Sequence, residues 1–147
     1  MRSFCKLDIF KNINFHFRSL STSVVLNKKY GSIWLLSKMT IVDNSEVGKE
    51  AALVGKPAKV IHVYNKQHRG NLGDKVLLTV RGEMKKGYIV GLRQHEPGVP
   101  RFDSNNVVLV AEDGNPLGTR ILVPIPSMLR GYPGDINKIL AIATKFI

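Results

Sequence analysis

The sequence contains a single cysteine, Cys5, and no apolar stretch long enough to cross a bilayer. One cysteine cannot form an intrachain disulfide or complete a cysteine cluster around a metal, and a membrane-spanning helix needs roughly 18 or more apolar residues. Acidic residues are also scarce, since 11 Asp and Glu oppose 22 Lys and Arg and leave a net charge of +11. This imbalance points to a polyanionic partner, either nucleic acid or an anionic membrane surface.

Residues that could support catalysis or metal binding are present but are not arranged for either. The four histidines have none of the short spacings typical of zinc sites. Asp43 and Ser45 lack a placed histidine that would activate the serine, and Glu112 and Asp113 adjoin a turn glycine. A small hydrolase or lyase using Asp43 or His62 would need a convergent pocket that the pattern does not provide. We therefore predict that the chain is not an enzyme and that it binds no metal and no cofactor.

Residues 1–30 carry much of the positive charge. Six Lys and Arg oppose one acid, Asp8, which gives this stretch a net charge of +5, and it is rich in Ser and Asn. Such a composition is typical of a mitochondrial transit peptide. Cleavage would follow Leu20 or lie nearer Asn27, whereas the alternative is a basic arm that stays attached and touches RNA. We predict a transit peptide over residues 1–30, a folded domain over residues 31–147 and a location in the mitochondrial matrix.

The rest of the chain alternates short β-rich runs with turn signals. Six such runs lie at residues 39–42, 58–64, 75–80, 88–92, 107–111 and 120–123. In the second run, strict alternation would place Val60, His62 and Tyr64 on one face. No long helix separates the runs, and closure of a small sheet removes its exposed edges. The pattern predicts a mainly β fold, a small five- to six-stranded antiparallel β-barrel with short C-terminal helices.

Several of these runs are apolar on both faces, so the outer face of the barrel needs a cover. The C-terminal segment is the natural candidate, because Ile136, Ile139 and Leu140 recur at helical spacing. Asp135 is the predicted N-cap of that helix, and Ser127 is the predicted cap of a shorter helical turn before it.

The basic residues concentrate in predicted loops between strands. Loops at the rim of a small barrel can place Lys and Arg along phosphates while the strands fix their spacing. Tyr64, Tyr88 and Phe102 lie near these charges in sequence and would stack on unpaired bases. The predicted RNA-binding residues are Lys49, Lys56, Lys66, His68, Arg69, Lys85, Lys86, Arg93, Arg101 and Phe102.

Several motifs occur in the order found in one known family. They are Asp43-Asn44-Ser45 after an opening strand, Gly73-Asp74, Lys85-Lys86-Gly87, Arg101-Phe102-Asp103 with Asn106, the run at 116–120, and the run at 138–143. Together, from about residue 38 to residue 147, they resemble the universal large-subunit ribosomal protein number fourteen. With the predicted transit peptide, the chain resembles the mitochondrial form of that family.

The resemblance implies a five-stranded barrel that binds large-subunit ribosomal RNA at the subunit interface. It also implies a bridge to small-subunit ribosomal RNA, contact with large-subunit protein nineteen, and docking of the ribosome silencing factor. That docking is expected around Thr119, Arg120 and Lys138. The family's basic hairpin before Arg101 is shortened here to residues 94–100, so some of its RNA contacts are expected to be missing.

Composition and resemblance lead to one function and one alternative. We expect a structural constituent of the mitochondrial large ribosomal subunit that binds its RNA and contributes to an intersubunit bridge and to translation. The alternative is an independent single-strand RNA-binding barrel that associates with ribosomes transiently.

Overall fold

The computed structural model describes residues 33–94, 100–132 and 135–147, so the predicted transit peptide lies outside the described residues. The elements in chain order are β1 (Lys38–Ile41), α1 (Glu46–Val54), β2 (Ala58–Val63), β3 (Lys75–Val80), β4 (Glu83–Gly91), β5 (Asn106–Val110), a 3-10 helix (Ser127–Gly131) and α2 (Ile136–Ala141).

The five strands form a closed barrel in the order in which they occur along the chain. Neighbours from β1 to β5 pair antiparallel, and the barrel closes through a parallel pairing of β5 with β1, with Thr40 opposite Asn106. The predicted small β-barrel is confirmed. The parallel closure differs from the expected all-antiparallel pattern, because the chain enters β5 at the same end of the barrel as β1.

The interior of the barrel is filled by β-branched and aliphatic side chains. In β3, Val76, Leu78 and Val80 are buried while the residues between them are half-buried, as expected for alternation on a pleated strand. Gly87 of β4 faces Val107 and Leu78, and an added methyl group there would stand 2.8 Å from a Val107 methyl. A glycine is therefore needed at position 87, because a side chain there would clash with Val107 of β5.

The C-terminal segment covers the outside of the barrel, as predicted. Every residue of β5 is buried, and Ile136 and Ile139 of α2 belong to the same core. Isolated bridges join Ile121 to Ala143 and Ile125 to Phe146. The predicted strand at 120–123 is wrong, because Ile121 forms only isolated bridges there.

The helix starts in this segment follow the prediction only in part. Asp135 occupies the N-cap position of α2, but its side chain makes no capping hydrogen bond. Ser127 is the first residue of the 3-10 helix and not its cap, since Pro126 stands at the N-cap without a side-chain hydrogen bond.

Helix α1 was not predicted from the sequence. Ser45 caps it, because its hydroxyl oxygen accepts a hydrogen bond from the backbone N–H of Gly48 at 3.2 Å. Gly55 ends it with a φ of 69°, the left-handed conformation that glycine adopts most easily. Lys49 was expected beside a loop, but it lies on this helix.

Two strands also depart from their predicted patterns. β4 begins at Glu83, because Arg81 and Gly82 alone form the turn, both with positive φ (53° and 94°). The predicted connection over 81–87 is thus wrong. A register shift between Val60 and His62 in β2 breaks the expected alternation.

Candidate nucleic-acid interface

The barrel has two ends of different character. β2 and β4 both run antiparallel to β3, so the connections 64–74 and 92–105 leave them at the same end. The segment 33–37 joins this loop end, since Ile33 and Gly70 exchange backbone hydrogen bonds of 2.7 and 2.8 Å. The opposite end, here called the helix end, carries α1 and the turn at residues 81–82.

Five of the predicted RNA-binding residues lie together at the loop end, and all are exposed: Lys66, His68, Arg69, Arg93 and Arg101. None of them forms an ion pair with another of the described residues. Two described acids lie at this end. Asp74 is committed to its own loop, where it accepts hydrogen bonds from the Asn71 N–H (2.8 Å) and the Asn65 side chain (3.2 Å). Asp103 is exposed and forms no ion pair with another described residue. The cations outnumber these acids, so the described part of the loop end presents net positive charge.

An aromatic–basic cluster, made of Trp34, His62, Tyr64, His68 and Arg69, adds stacking surface to that charge. The Arg69 guanidinium carbon lies 4.2 Å from the centroid of the Trp34 ring. His62 lies edge-on to Tyr64 at 5.2 Å and 5.7 Å from His68. Trp34 and Tyr64 are 56% and 50% exposed, large fractions for aromatic rings.

Trp34 is the functional candidate that sequence reasoning missed. It is the only tryptophan in the chain and stands 35 residues before Arg69 in the sequence. Only the bridge between Ile33 and Gly70 brings the two together. A single tryptophan next to apolar Leu35 and Leu36 carries no sequence signal that separates a surface ring from a core one.

The remaining predicted RNA-binding cations lie toward the helix end and are partly neutralised. Lys85 pairs with Glu83 at 3.2 Å, and Lys86 pairs with Glu112 at 3.6 Å. Lys49 and Lys56 are exposed on α1 and just after it. The structure therefore divides the predicted set between two ends of the barrel and does not bring it together as one site.

Two aromatic rings expected to stack on bases are packed into the protein. Phe102 is 8% exposed, and its ring lies 3.3 Å from where a Cβ on Gly91 would stand. Tyr88 is also buried, with the Lys75 ammonium 5.7 Å from its ring centroid. Burial also raises the pKa of Tyr88, and the nearby Asp135 carboxylate raises it further. Neither buried ring presents the exposed face that stacking on an RNA base requires, which argues against that expectation.

The turn that carries Phe102 is held by its own amides. The Asn105 side-chain oxygen accepts a hydrogen bond from the Arg93 N–H at 3.0 Å, and Asn106 accepts one from the Ser104 hydroxyl at 2.7 Å. The first of these bonds joins the residues on either side of the shortened connection, and the second is local to its C-terminal side. Arg101, between Arg93 and Asn105 in the sequence, is exposed.

The residues predicted to contact a protein partner are all exposed: Thr119 and Arg120 lie on the loop at residues 112–120, and Lys138 lies beside it. The Thr119 hydroxyl accepts a hydrogen bond from the Asn44 side chain at 3.4 Å, and the Arg120 carbonyl accepts one from the Asn44 N–H at 2.9 Å. Lys138 reaches the same loop from α2, donating to the Asp113 carbonyl at 3.4 Å.

The carboxyl group of Asp43, which follows β1, is buried. It is 4% exposed, and neither carboxyl oxygen has a hydrogen-bond partner among the described residues. Loss of hydration raises the pKa of Asp43 to about 6, while the nearby Ser45 hydroxyl and the backbone at Leu109 and Gly118 limit the rise. Burial thus shifts the balance of this carboxyl toward its neutral form, relative to an exposed Asp.

Neither a metal centre nor a membrane helix is found in the described residues. Over residues 33–94, 100–132 and 135–147, no three His, Cys, Asp or Glu side chains come together as metal ligands. Over the same ranges, no helix has the length and apolar character that a bilayer crossing requires.

Comparison with known proteins identifies the family. The family model described as Ribosomal protein L14p/L23e matches residues 32–147. A curated protein from Danio rerio, "Large ribosomal subunit protein uL14m", is 50% identical over 119 residues, which cover 79% of this chain and 82% of that protein. Members of such a family are structural components of ribosomes and not enzymes. The chain therefore belongs to the ribosomal protein L14p/L23e family.

Proposed function

We propose that this chain is a structural component of the large subunit of the mitochondrial ribosome and binds large-subunit ribosomal RNA through the loop end of its barrel. Family membership, the name of the Danio rerio relative and the basic composition of residues 1–30 support the assignment. The observation that carries RNA binding is the aromatic–basic cluster surrounded by unpaired cations.

The geometry of the cluster suits a single-stranded segment of RNA. Arg69 covers one face of the Trp34 indole, and an exposed indole can stack a base on its free face. The guanidinium group keeps donors free for a phosphate, as do Lys66, Arg93 and Arg101 around it. Stacking on unpaired bases together with phosphate contacts is how proteins recognise loops and bulges in RNA.

The protein-facing role is proposed for the loop at residues 112–120 with Lys138 beside it. Exposed Arg120 and Lys138 would pair with carboxylates of a partner. We assign contact with large-subunit protein nineteen and docking of the mitochondrial ribosome silencing factor to this face. This face would also bring the chain to small-subunit ribosomal RNA, and the protein would thereby contribute to an intersubunit bridge.

Sedimentation of tagged variants in organelle extracts tests the RNA-binding proposal. Wild-type protein should sediment with the large subunit at about one copy per particle, and Trp34→Ala with Arg69→Ala should shift it toward the free pool. Loss of one stacked base costs roughly 1–3 kcal/mol, so affinity for a ribosomal RNA fragment should fall about 5- to 150-fold. Arg81→Ala is the matched control, because that charge lies at the helix end and is paired with Glu50.

Three results would contradict the proposal. Equal losses for the Arg81 control and the cluster variant would remove the assignment to the loop end. Association far below one copy per particle, lost in moderate salt, would favour the independent single-strand RNA-binding factor instead. A protein that still begins at Met1 when isolated from mitochondria would contradict the transit peptide over residues 1–30.

A further inference from the structure

A groove of about 670 Å³ lies between the end of α1 and the side of the barrel. It is separate from the loop end, and neither the aromatic–basic cluster nor the loop at 112–120 lines it. The residues that line this α1 groove include Val54, Lys56 and Pro57 on the helix side and Lys38, Lys59 and Thr79 on the strands. Arg81 of the turn between β3 and β4 also lines it, but its charge is paired with Glu50.

The groove is positively charged, and its three lysines are unpaired. Lys38 of β1 stands directly opposite Lys59 of β2 in the strand register. Two like charges in that position destabilise a sheet, and Lys56 adds a third charge at the same groove. None of the three lysines has an ion-pair partner among the described residues, and no carboxylate lines the groove. An anionic group bound there would relieve this repulsion.

The helix side of the groove is apolar and uncovered. α1 fully buries only Gly48 and Ala51 against the barrel, and Val47 is half-buried against the core. At its C-terminal end, Leu53 and Val54 are 86% and 52% exposed. Val54 lines the groove together with the three unpaired lysines, and Leu53 precedes it on α1. Large exposed apolar side chains at and next to a basic groove are a combination that a solvated surface does not require.

We propose that the α1 groove binds an acidic segment of a neighbouring protein that also carries apolar side chains. Carboxylates would face Lys38, Lys56 and Lys59, and the apolar side chains would cover Leu53 and Val54. A phosphate backbone would compensate the lysines but leave the two apolar side chains in water, so the surface fits a protein better than RNA. This partner differs from the RNA bound at the loop end.

Titration of the isotope-labelled full chain, followed by amide chemical shifts, tests the proposal. The probes are two synthetic peptides of equal charge, one alternating Glu with Leu and the other Glu with Ser, and an oligouridine with the same number of charges. The Glu–Leu peptide should shift the amides of α1 and bind about tenfold or more tightly than the Glu–Ser peptide, because each buried leucine adds apolar contact.

Variants separate the groove from general positive charge. Lys38→Gln with Lys59→Gln should weaken the Glu–Leu peptide about tenfold, whereas Lys145→Gln, an exposed cation outside the groove, should leave it unchanged. Equal binding of both peptides, or no shift at α1, would overturn the proposal. Oligouridine binding at α1 as tightly as the Glu–Leu peptide would overturn it in favour of a nucleic-acid site. Loss of ribosomal RNA binding by Trp34→Ala with an intact peptide titration would leave it standing.

Discussion

Asp43 is the residue whose chemistry depends most on its surroundings. Its carboxyl group is buried between the end of β1 and the loop at Gly118, where an added Cβ on the glycine would stand 2.7 Å from the Asp43 Cβ. A buried carboxyl without hydrogen bonds favours its neutral form. The raised pKa, about 6 against an ordinary 3.8, means that the folded state binds this proton more tightly than the unfolded state.

The stability of the protein should therefore fall as pH rises through the range bounded by these two pKa values. The contribution of Asp43 is fully present below the unfolded value of 3.8 and is lost as pH passes the folded value of about 6. The separation corresponds to roughly 3 kcal/mol. Urea unfolding of wild type and Asp43→Asn across that range should show this slope in their difference, because the amide does not titrate. Parallel profiles for the two proteins would show that folding does not shift the pKa of Asp43.

At the scale of elements, α1 is held by its ends more than by its packing. The Ser45 cap and the left-handed Gly55 fix its length, while its packed face contains only the small residues Gly48 and Ala51 and the half-buried Val47. An added methyl group on Gly48 would stand 2.8 Å from an Ile41 methyl, so the helix lies very close to β1. A helix of this kind stabilises little by itself and positions an exposed surface.

The pairing of Lys38 with Lys59 between β1 and β2 should cost stability in the isolated protein. Lys59→Gln is expected to raise the free energy of unfolding by about 0.2–1 kcal/mol, because it removes a like charge directly opposite another. The gain should shrink at high salt, where exposed charges are screened. Urea denaturation with Lys145→Gln as the control measures it. If Lys59→Gln lowers stability, the two ammonium groups do not repel each other in the folded state.

At the scale of the molecule, the C-terminal segment makes the barrel a closed hydrophobic unit. β5 is buried along its whole length, and Ile121, Ile125, Ile136 and Ile139 belong to the same core. The last residue takes part as well, since the Ile147 N–H donates to the Ile125 carbonyl at 3.0 Å.

Removing part of that cover should destabilise the whole barrel. Ile139 is 1% exposed, so Ile139→Ala should lower the free energy of unfolding by about 2–5 kcal/mol, because the substitution leaves a cavity in the core. Met128→Ala, at a residue that is 51% exposed in the same segment, should change stability by less than about 0.5 kcal/mol. Urea denaturation measures both, and amide exchange should rise in β5 for the first variant only. A similar small effect from both would show that α2 is not part of the cooperative unit.

The barrel and its cover could be read from the sequence because they depend on local patterns. Alternating valines in β3, the apolar run of β5 and the helical spacing of Ile136 and Ile139 each indicate burial without knowledge of their partners. The turn at Arg81 and Gly82 was missed because arginine rarely takes a positive φ, and the paired strands alone impose it. α1 was missed because nine residues with two small buried positions give no apolar stripe.

Less of the functional surface than of the fold could be predicted from the sequence. The sequence by itself determined a basic chain, a small barrel, a covering C-terminal segment and a set of loop cations, because charge and periodicity are carried by neighbouring residues. Only the folded chain placed Trp34 beneath Arg69, buried Phe102 and aligned Lys38 with Lys59. Those relations join residues far apart in sequence, and strand register and loop closure alone determine which of them meet.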